Sequence, residues 1–151
     1  MEDMAVIETS VSICDQANID VVLPETRQHK IGVLVKRPIA NACWKNLSDQ
    51  RGIYRGYAEP YTKRFAEMGL HLSELGYAET PPSSWAEIAL RFILSIPGVN
   101  CALIGTTNPQ NAVANLAAAG LGPLPPETVE KIRTCFSQAQ AHSGEDWPGL
   151  T

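Results

Sequence analysis

The sequence predicts an α/β fold with parallel strands, because strand-like and helix-like patterns alternate along the chain. Residues 5–13 alternate as a strand does, and residues 18–30 have helical spacing. Residues 31–36 then form a nearly continuous apolar run, which is typical of a strand buried on both faces of a parallel sheet. Strands and helices in this order require parallel strands joined by right-handed crossovers.

The second half of the chain continues this pattern. A capping box of Ser84 and Glu87 predicts a helix that ends at Pro97 and Gly98, and a strand is expected at 99–104. A helix that stops at Gly120 and a last helix at 127–141 follow. Only three strands are predicted, whereas a complete (β/α)₈ barrel needs about 250 residues. We therefore expect residues 1–151 to form one domain, a partial (β/α)₈ TIM barrel with three parallel strands and helices.

Two regions depart from regular alternation. Glycines and prolines interrupt residues 41–82, so we expect a long excursion over one face with one short amphipathic helix at 61–75. In the first helical stretch, Val22 and Leu23 are expected to pack inward. Pro24 is expected to mark an early turn or a kink rather than the middle of the helix.

Composition and charge exclude several classes of function. The formal net charge is -4 with a pI near 5.3, and no basic run could neutralise a track of phosphates. The start of the sequence lacks the basic and apolar regions of a secretion signal, and no apolar stretch approaches the roughly 18 residues of a membrane span. We expect a soluble, cytoplasmic protein without a nucleic-acid or membrane partner.

The four cysteines stand far apart in the sequence, at positions 14, 43, 101 and 135. They form no CxxC pair, and no histidine stands at ligand spacing from them, so the spacing favours neither a metal site nor a redox pair. Three of the four lie in apolar runs and are expected to be buried thiols.

The segment 99–120 predicts an anion-binding strand, turn and helix. The strand breaks at Gly105, Thr107 or Asn108 can cap the helix, and Pro109 suits its first position. The amide groups of a first helical turn attract phosphate. An ordinary capped turn without a ligand remains equally compatible with these residues. The helix is expected to pack Val113, Leu116 and Ala117 on one side.

Several segments together resemble the C-terminal portion of the aldo-keto reductases, and the resemblance extends over almost the whole chain. The segment at 31–44, IGVLVKRPIANACW, carries much of it. The other matching segments are 10–16, 89–99, 105–109, 115–119, 122–125 and 146–149. The resemblance implies that the three predicted strands are strands six, seven and eight of a (β/α)₈ barrel.

The resemblance also implies a cofactor and its site. Members of the family use NADP(H) and transfer hydride between its nicotinamide and a carbonyl or alcohol. The turn after the last strand would bind the 2′-phosphate end, the end of the second strand would follow the pyrophosphate and nicotinamide, and Glu8 would lie near the nicotinamide amide. The residues implied are Gly105, Thr106, Thr107, Asn108, Asn111, Asn115, Lys36, Arg37, Ile39 and Glu8.

The chain departs from the family pattern at the phosphate end. Asn111 stands where the family commonly places an arginine, and Ala114 stands where an acidic or amide side chain is common. Lys36 and Arg37 could supply positive charge, or they could be solvated charges at a strand end. Glu8 could equally be paired locally on its strand.

The family's catalytic Asp, Tyr, Lys and His belong to the first half of the barrel, so no residue here is assigned to them. We expect a protein that keeps part of an NADP(H) pocket and is inactive alone. Completion by a missing N-terminal half would instead give an active NADPH-dependent oxidoreductase, and loss of the cofactor would leave a non-catalytic interaction module. Because the outer strands expose unpaired edges, we expect a homo-oligomer or a complementary barrel half as partner.

Overall fold

The computed structural model describes residues 4–49, 52–80 and 84–150. Its strands and helices alternate as the sequence predicts. The strands are β1 (Val6–Ser10), β2 (Gly32–Lys36) and β3 (Cys101–Leu103). The α-helices are α1 (Ala17–Gln28), α2 (Gly52–Met68), α3 (Trp85–Ser95), α4 (Pro109–Gly120) and α5 (Pro126–Ser143). Shorter 3₁₀ turns span Ala40–Ala42, Leu47–Asp49 and Leu72–Leu75.

The three strands form one parallel sheet in the order β1, β2, β3, which confirms the predicted topology. The central strand has the apolar run, and its Val33 and Val35 are fully buried. Asn100 fixes the start of β3, because its side-chain oxygen accepts from the Val33 amide at 2.8 Å while its own amide donates to the Val33 carbonyl at 3.1 Å. The architecture is that of a partial barrel.

Helix α3 contributes an apolar face to the core. Ile88, Phe92 and Ile93 are fully buried at helical spacing, as expected for an amphipathic helix that packs on a sheet. Ser84 caps the helix by accepting from the Glu87 amide at 3.2 Å. The Glu87 carboxylate accepts from Arg91 at 2.9 Å, so the predicted capping box is formed on the Ser84 side.

Pro24 lies in the middle of α1, so the predicted early turn at this residue is wrong. Leu23 and Thr26 are buried beside it, and Val22 is half-buried. Pro24 itself is exposed. A proline there removes one helical hydrogen bond, to the Asp20 carbonyl, and water can reach that exposed side of the helix.

The predicted bounds of the helix at 61–75 are also wrong. Helix α2 begins nine residues earlier, at Gly52, includes Pro60, and ends at Met68. Gly69 follows with φ of 55°, a left-handed conformation suited to glycine. Within the predicted excursion at 41–82, positions 50, 51, 81 and 82 lie outside the described residues.

The burial of α4 differs from the expectation. Val113 and Leu116 are 68% and 76% exposed, whereas Ala118 is buried. The helix ends at Gly120, as the sequence predicts, and Leu121 is its C-cap. Among the described residues, β3 pairs with β2 alone, and Leu116 lines a groove together with Cys101 and Ala102 of this edge strand.

Two of the cysteines are buried, rather than the three expected. Cys14 and Cys43 are in the core, Cys135 is half-buried, and Cys101 is exposed on β3. The reason for the exposed Cys101 is that β3 lies at the edge of the sheet. None of the described helices is both long and apolar enough to cross a membrane.

Candidate functional site

A cleft of about 640 Å³ lies at the carboxyl ends of β2 and β3. Parallel strands place their carboxyl ends at one edge of the sheet, where ligand sites of (β/α)₈ barrels lie. Helix α2 supplies the third wall. The lining residues are Arg37, Pro38, Ile39, Asn41, Tyr54, Tyr57, Leu103, Ile104, Gly105, Thr106 and Thr107.

The wall after β3 is a tight turn that leads into α4. Of the two predicted candidates, Thr107 and Asn108, the N-cap is Asn108, and its side-chain oxygen accepts from the Gln110 amide at 2.9 Å. The hydroxyl of Thr106 accepts from the Asn108 amide at 3.2 Å. Pro109 occupies the first turn of the helix. Thr106 and Thr107 line the cleft, and α4 begins directly after them in the sequence.

The wall after β2 has an unusual backbone. Arg37 has φ of 55°, and Ala40, Asn41 and Ala42 have φ of 46°, 51° and 55°. Three consecutive left-handed residues with a Cβ are disfavoured by contact between Cβ and the backbone. The segment is held to α2, because the Asn41 side chain donates to the Tyr57 carbonyl at 3.1 Å.

The positive charge of the cleft comes from Arg37. Its guanidinium carbon lies 5.4 Å from the centroid of the Tyr57 ring, within the range of a cation–π interaction. The described lining contains no histidine, lysine or carboxylate. No group of metal-ligating side chains was found among the described residues. The cleft thus has one cation, two hydroxyls of threonine and two tyrosines.

The structure brings together half of the site residues that the resemblance implies. Arg37, Ile39, Gly105, Thr106 and Thr107 line the cleft, and Asn108 caps the adjoining helix.

The other predicted site residues lie away from this lining. Lys36 ends β2, Glu8 is exposed on β1, and Asn111 is exposed on α4. Asn115 lines two separate grooves, one toward α3 and one beside β3. These four residues remain predictions as cofactor contacts.

Sequence reasoning missed Tyr54 and Tyr57. Both are more than half exposed and line the cleft from α2. Their spacing of three residues on a helix was the available signal. It was hidden because Gly56 and Pro60 made a helix over this segment look improbable.

A buried polar cluster lies next to β1, outside the cleft. Asp15 is fully buried, and its Oδ2 accepts from the Leu150 amide at 3.0 Å. Among the described residues its Oδ1 has no hydrogen-bond partner. Burial raises the pKa of Asp15 above its ordinary value, while hydrogen bonds and Arg64 oppose the rise.

Arg64 connects the cluster to the end of the chain. It donates to the carbonyls of Cys14 and Pro148 at 3.2 and 3.1 Å, and it lies over the Trp147 ring at 5.2 Å. Burial lowers the pKa of Arg64, with Asp15 as the main opposing influence. The cluster holds the segment after α5 against β1 and α2, which is a structural role.

Comparison with known proteins identifies the family. The model of the aldo/keto reductase family matches residues 3–136. The apo and holo structures of the aldo-keto reductase AKR11C1 from Bacillus halodurans each match with a TM-score of 0.64 and 22% identity over 88% of this chain.

The match covers 44% of the apo chain and 43% of the holo chain, so this chain spans less than half the length of those solved structures. A comparison with curated proteins found no match. The fold agrees with part of an aldo-keto reductase barrel, and the family match extends over most of the sequence. The chain belongs to the aldo/keto reductase family.

Proposed function

We propose that the chain keeps part of an NADP(H)-binding pocket and does not reduce carbonyl compounds by itself. The observation that carries the proposal is the cleft at the carboxyl ends of β2 and β3, where Arg37 faces the turn of Thr106 and Thr107. Family membership supports the choice of cofactor. NADP(H) supplies a hydride at its nicotinamide when bound.

The residues present fit the phosphate end of such a nucleotide. The amino end of α4 favours an anion, and Arg37 supplies a charged donor across the cleft. The hydroxyls of Thr106 and Thr107 add neutral groups. Because Asn108 already accepts from the Gln110 amide, the first turn has one amide fewer for a phosphate, which makes Arg37 the more important contact.

The same lining explains why we propose no activity of the chain alone. Reduction of a carbonyl needs a group that gives a proton to the developing alkoxide. The described lining has no histidine, lysine or carboxylate, and Tyr54 and Tyr57 are exposed on α2 without such a neighbour in that lining. The pocket residues can bind and orient a nucleotide.

The partner we propose is the complementary part of the barrel, on a longer chain or on a separate one. Three observations support it: the sheet has β1 and β3 at its edges, the solved relatives are more than twice as long as the matched region, and an apolar groove adjoins β3. Two copies of this chain would supply six strands, so a homodimer would cover the edges without rebuilding an eight-stranded barrel. Completed in this way, the protein would be an NADPH-dependent oxidoreductase.

We further propose a cytoplasmic location. The four cysteines are free thiols, and two of them touch without forming a disulfide. Free thiols are typical of a reducing compartment.

The test is a calorimetric titration of the 151-residue chain with NADP⁺, NADPH and NAD⁺. Arg37→Gln removes the cation from the cleft, and Arg55→Gln removes one from an exposed position of α2 outside the cleft lining. We expect Arg37→Gln to weaken NADP⁺ binding by about ten- to a hundredfold, since a charge-assisted hydrogen bond contributes on the order of 1.5–3 kcal/mol. Arg55→Gln should leave binding unchanged.

Equal effects of the two substitutions would contradict the assigned pocket. An absence of binding at millimolar nucleotide would favour the non-catalytic interaction module instead. NADPH oxidation that depends on an added aldehyde, by the purified chain alone, would overturn the proposed inactivity.

A further inference from the structure

Two buried thiols from distant parts of the chain are in contact. The sulfur atoms of Cys14 and Cys43 lie 3.7 Å apart, and the side chains are 0% and 2% exposed. Cys14 follows β1 in the tight turn between Ser12 and Asp15, where two backbone hydrogen bonds of 2.9 and 3.2 Å fix the loop. Cys43 follows the left-handed turn that contributes Asn41 to the cleft.

We infer that Cys14 and Cys43 are an oxidisable pair that closes as an intramolecular disulfide and fixes the rim of the cleft to the loop after β1. A disulfide has a sulfur separation of about 2.05 Å, so the two atoms must approach by about 1.7 Å. Within the described residues this is the one pair of thiols in contact, since Cys101 lies on β3 and Cys135 on α5. The inference does not depend on the proposed nucleotide site.

The oxidant we assign is a peroxide, which is small enough to enter a packed site during local opening. One thiol loses its proton, its thiolate attacks an oxygen of hydrogen peroxide, and the O–O bond breaks to give a sulfenic acid and hydroxide, which takes up the thiol proton and becomes water. The second thiol then loses its proton, its thiolate attacks the sulfenic sulfur, and the S–O bond breaks to release a second hydroxide, which becomes water with that proton. In total, two thiols lose two electrons and two protons to one peroxide.

The rim segment supplies the necessary movement. Ala40, Asn41 and Ala42 have a left-handed backbone that residues with a Cβ adopt reluctantly, so relief of this strain offsets part of the cost of moving the segment. The loop after β1 is the fixed partner, because Arg64 also holds the Cys14 carbonyl at 3.2 Å. Cys43 therefore moves toward Cys14.

Burial predicts that the reaction is slow at neutral pH. It raises the pKa of the Cys14 thiol well above the ordinary value, so little thiolate is present. The exposed Cys101 should react first. Raising the pH should accelerate disulfide closure.

The experiment uses the full chain with Cys101→Ser and Cys135→Ser, which leaves Cys14 and Cys43 as its thiols. The protein is treated with hydrogen peroxide at pH 7 and pH 9, unfolded, alkylated and digested with trypsin. We expect a linked species of peptides 1–27 and 37–45, with a mass loss equal to two hydrogen atoms and faster formation at pH 9.

Closure of the loop from Cys14 to Cys43 should also raise the Tm by roughly 5–10 °C, reversibly with dithiothreitol. Adding Cys43→Ser should abolish the linked peptide and the Tm shift. If this variant does not fold, the peptide map of the protein with Cys101→Ser and Cys135→Ser still shows whether Cys14 and Cys43 are linked. Recovery of both cysteines as alkylated thiols, or as sulfinic and sulfonic acids without a linked peptide, would overturn the inference.

Discussion

Asp15 is a fully buried carboxyl group whose pKa lies above its ordinary value of 3.8. Desolvation is the main cause, because burial disfavours the charged form. Arg64, Ser10 and Tyr61 face the carboxyl group and reduce the rise. The folded state therefore binds a proton more readily than the unfolded chain. The stability from this proton is complete below the ordinary pKa and is lost as pH rises through the raised pKa.

Asp15→Asn should remove this pH dependence. The amide keeps an oxygen for the Leu150 amide, which now donates to Asp15 at 3.0 Å, but it does not titrate. We expect the unfolding free energy of the wild type to fall relative to the variant as the pH rises from acidic to neutral, because the pKa of Asp15 is raised in the folded state. Urea unfolding at a series of pH values measures the difference in unfolding free energy between the wild type and the variant. The contributions of all other titratable groups are the same in both proteins and cancel in this difference. A difference that is constant with pH would show that Asp15 does not titrate in this range.

At the scale of one helix, Pro24 interrupts the hydrogen bonding of α1 from an exposed position. Pro24→Ala restores an amide that can donate to the Asp20 carbonyl, and it removes the proline ring from the helix. We expect stabilisation by about 1 kcal/mol, since the gain is partly offset by greater freedom of the unfolded chain. Chemical denaturation provides the measurement. Destabilisation would indicate that the ring makes a packing contact that its exposure does not suggest.

The cap of α4 is a second prediction at this scale. Asn108→Ala removes the oxygen that accepts from the Gln110 amide, so stability should fall by about 1 kcal/mol. Asn108→Ser keeps a capping oxygen and should retain most of the stability. The two variants are compared by thermal unfolding without nucleotide. Equal losses would show that the cap contributes little to the folded chain.

Strands and helices that are marked by a local sequence pattern, such as an apolar run or a capping residue, were predictable from the sequence. The apolar run at 31–36 indicated the central strand, and Asn108 with Pro109 indicated the start of α4. Helix α2 was not predictable, because Gly56 and Pro60 oppose a helix locally. Tertiary packing overrides that preference, since Ala58 and Tyr61 are fully buried and the Tyr61 hydroxyl lies 3.1 Å from Ser10.

The same distinction applies to the candidate site. The strand ends and the turn of Thr106 and Thr107 follow from topology, which brings carboxyl ends of parallel strands together. Topology does not determine the position of Asn115, which lies about two turns into α4 and lines other grooves. The contact between Cys14 and Cys43 could not be predicted from their spacing in the sequence, because each thiol is positioned by a different loop.

At the scale of the whole molecule, the sheet edge at β3 and the exposed face of α4 form one apolar surface. Val113 and Leu116 are 68% and 76% exposed, and Leu116 also lines a groove of about 520 Å³ with Leu90, Leu94 and Ile104. Exposed patches of this kind commonly mark interaction sites. A strand edge beside them adds unpaired backbone groups that another strand can bind.

Isolated chains should therefore associate through this surface when the complementary barrel part is absent. The double substitution Val113→Glu with Leu116→Glu places two charges on the face, and we expect it to raise the dissociation constant of self-association at least tenfold. Burial of one such aliphatic side chain contributes about 1.5–3 kcal/mol, and a buried unpaired carboxylate adds a penalty. Val21→Glu is the matched control, because Val21 is also 68% exposed but lies on α1. Sedimentation velocity over a concentration series measures the self-association of all three proteins.

If the double substitution and the control weaken self-association equally, added charge alone is responsible and the α4 face is not the interface. If the wild type stays monomeric at high concentration, the surface does not bind a second copy of this chain.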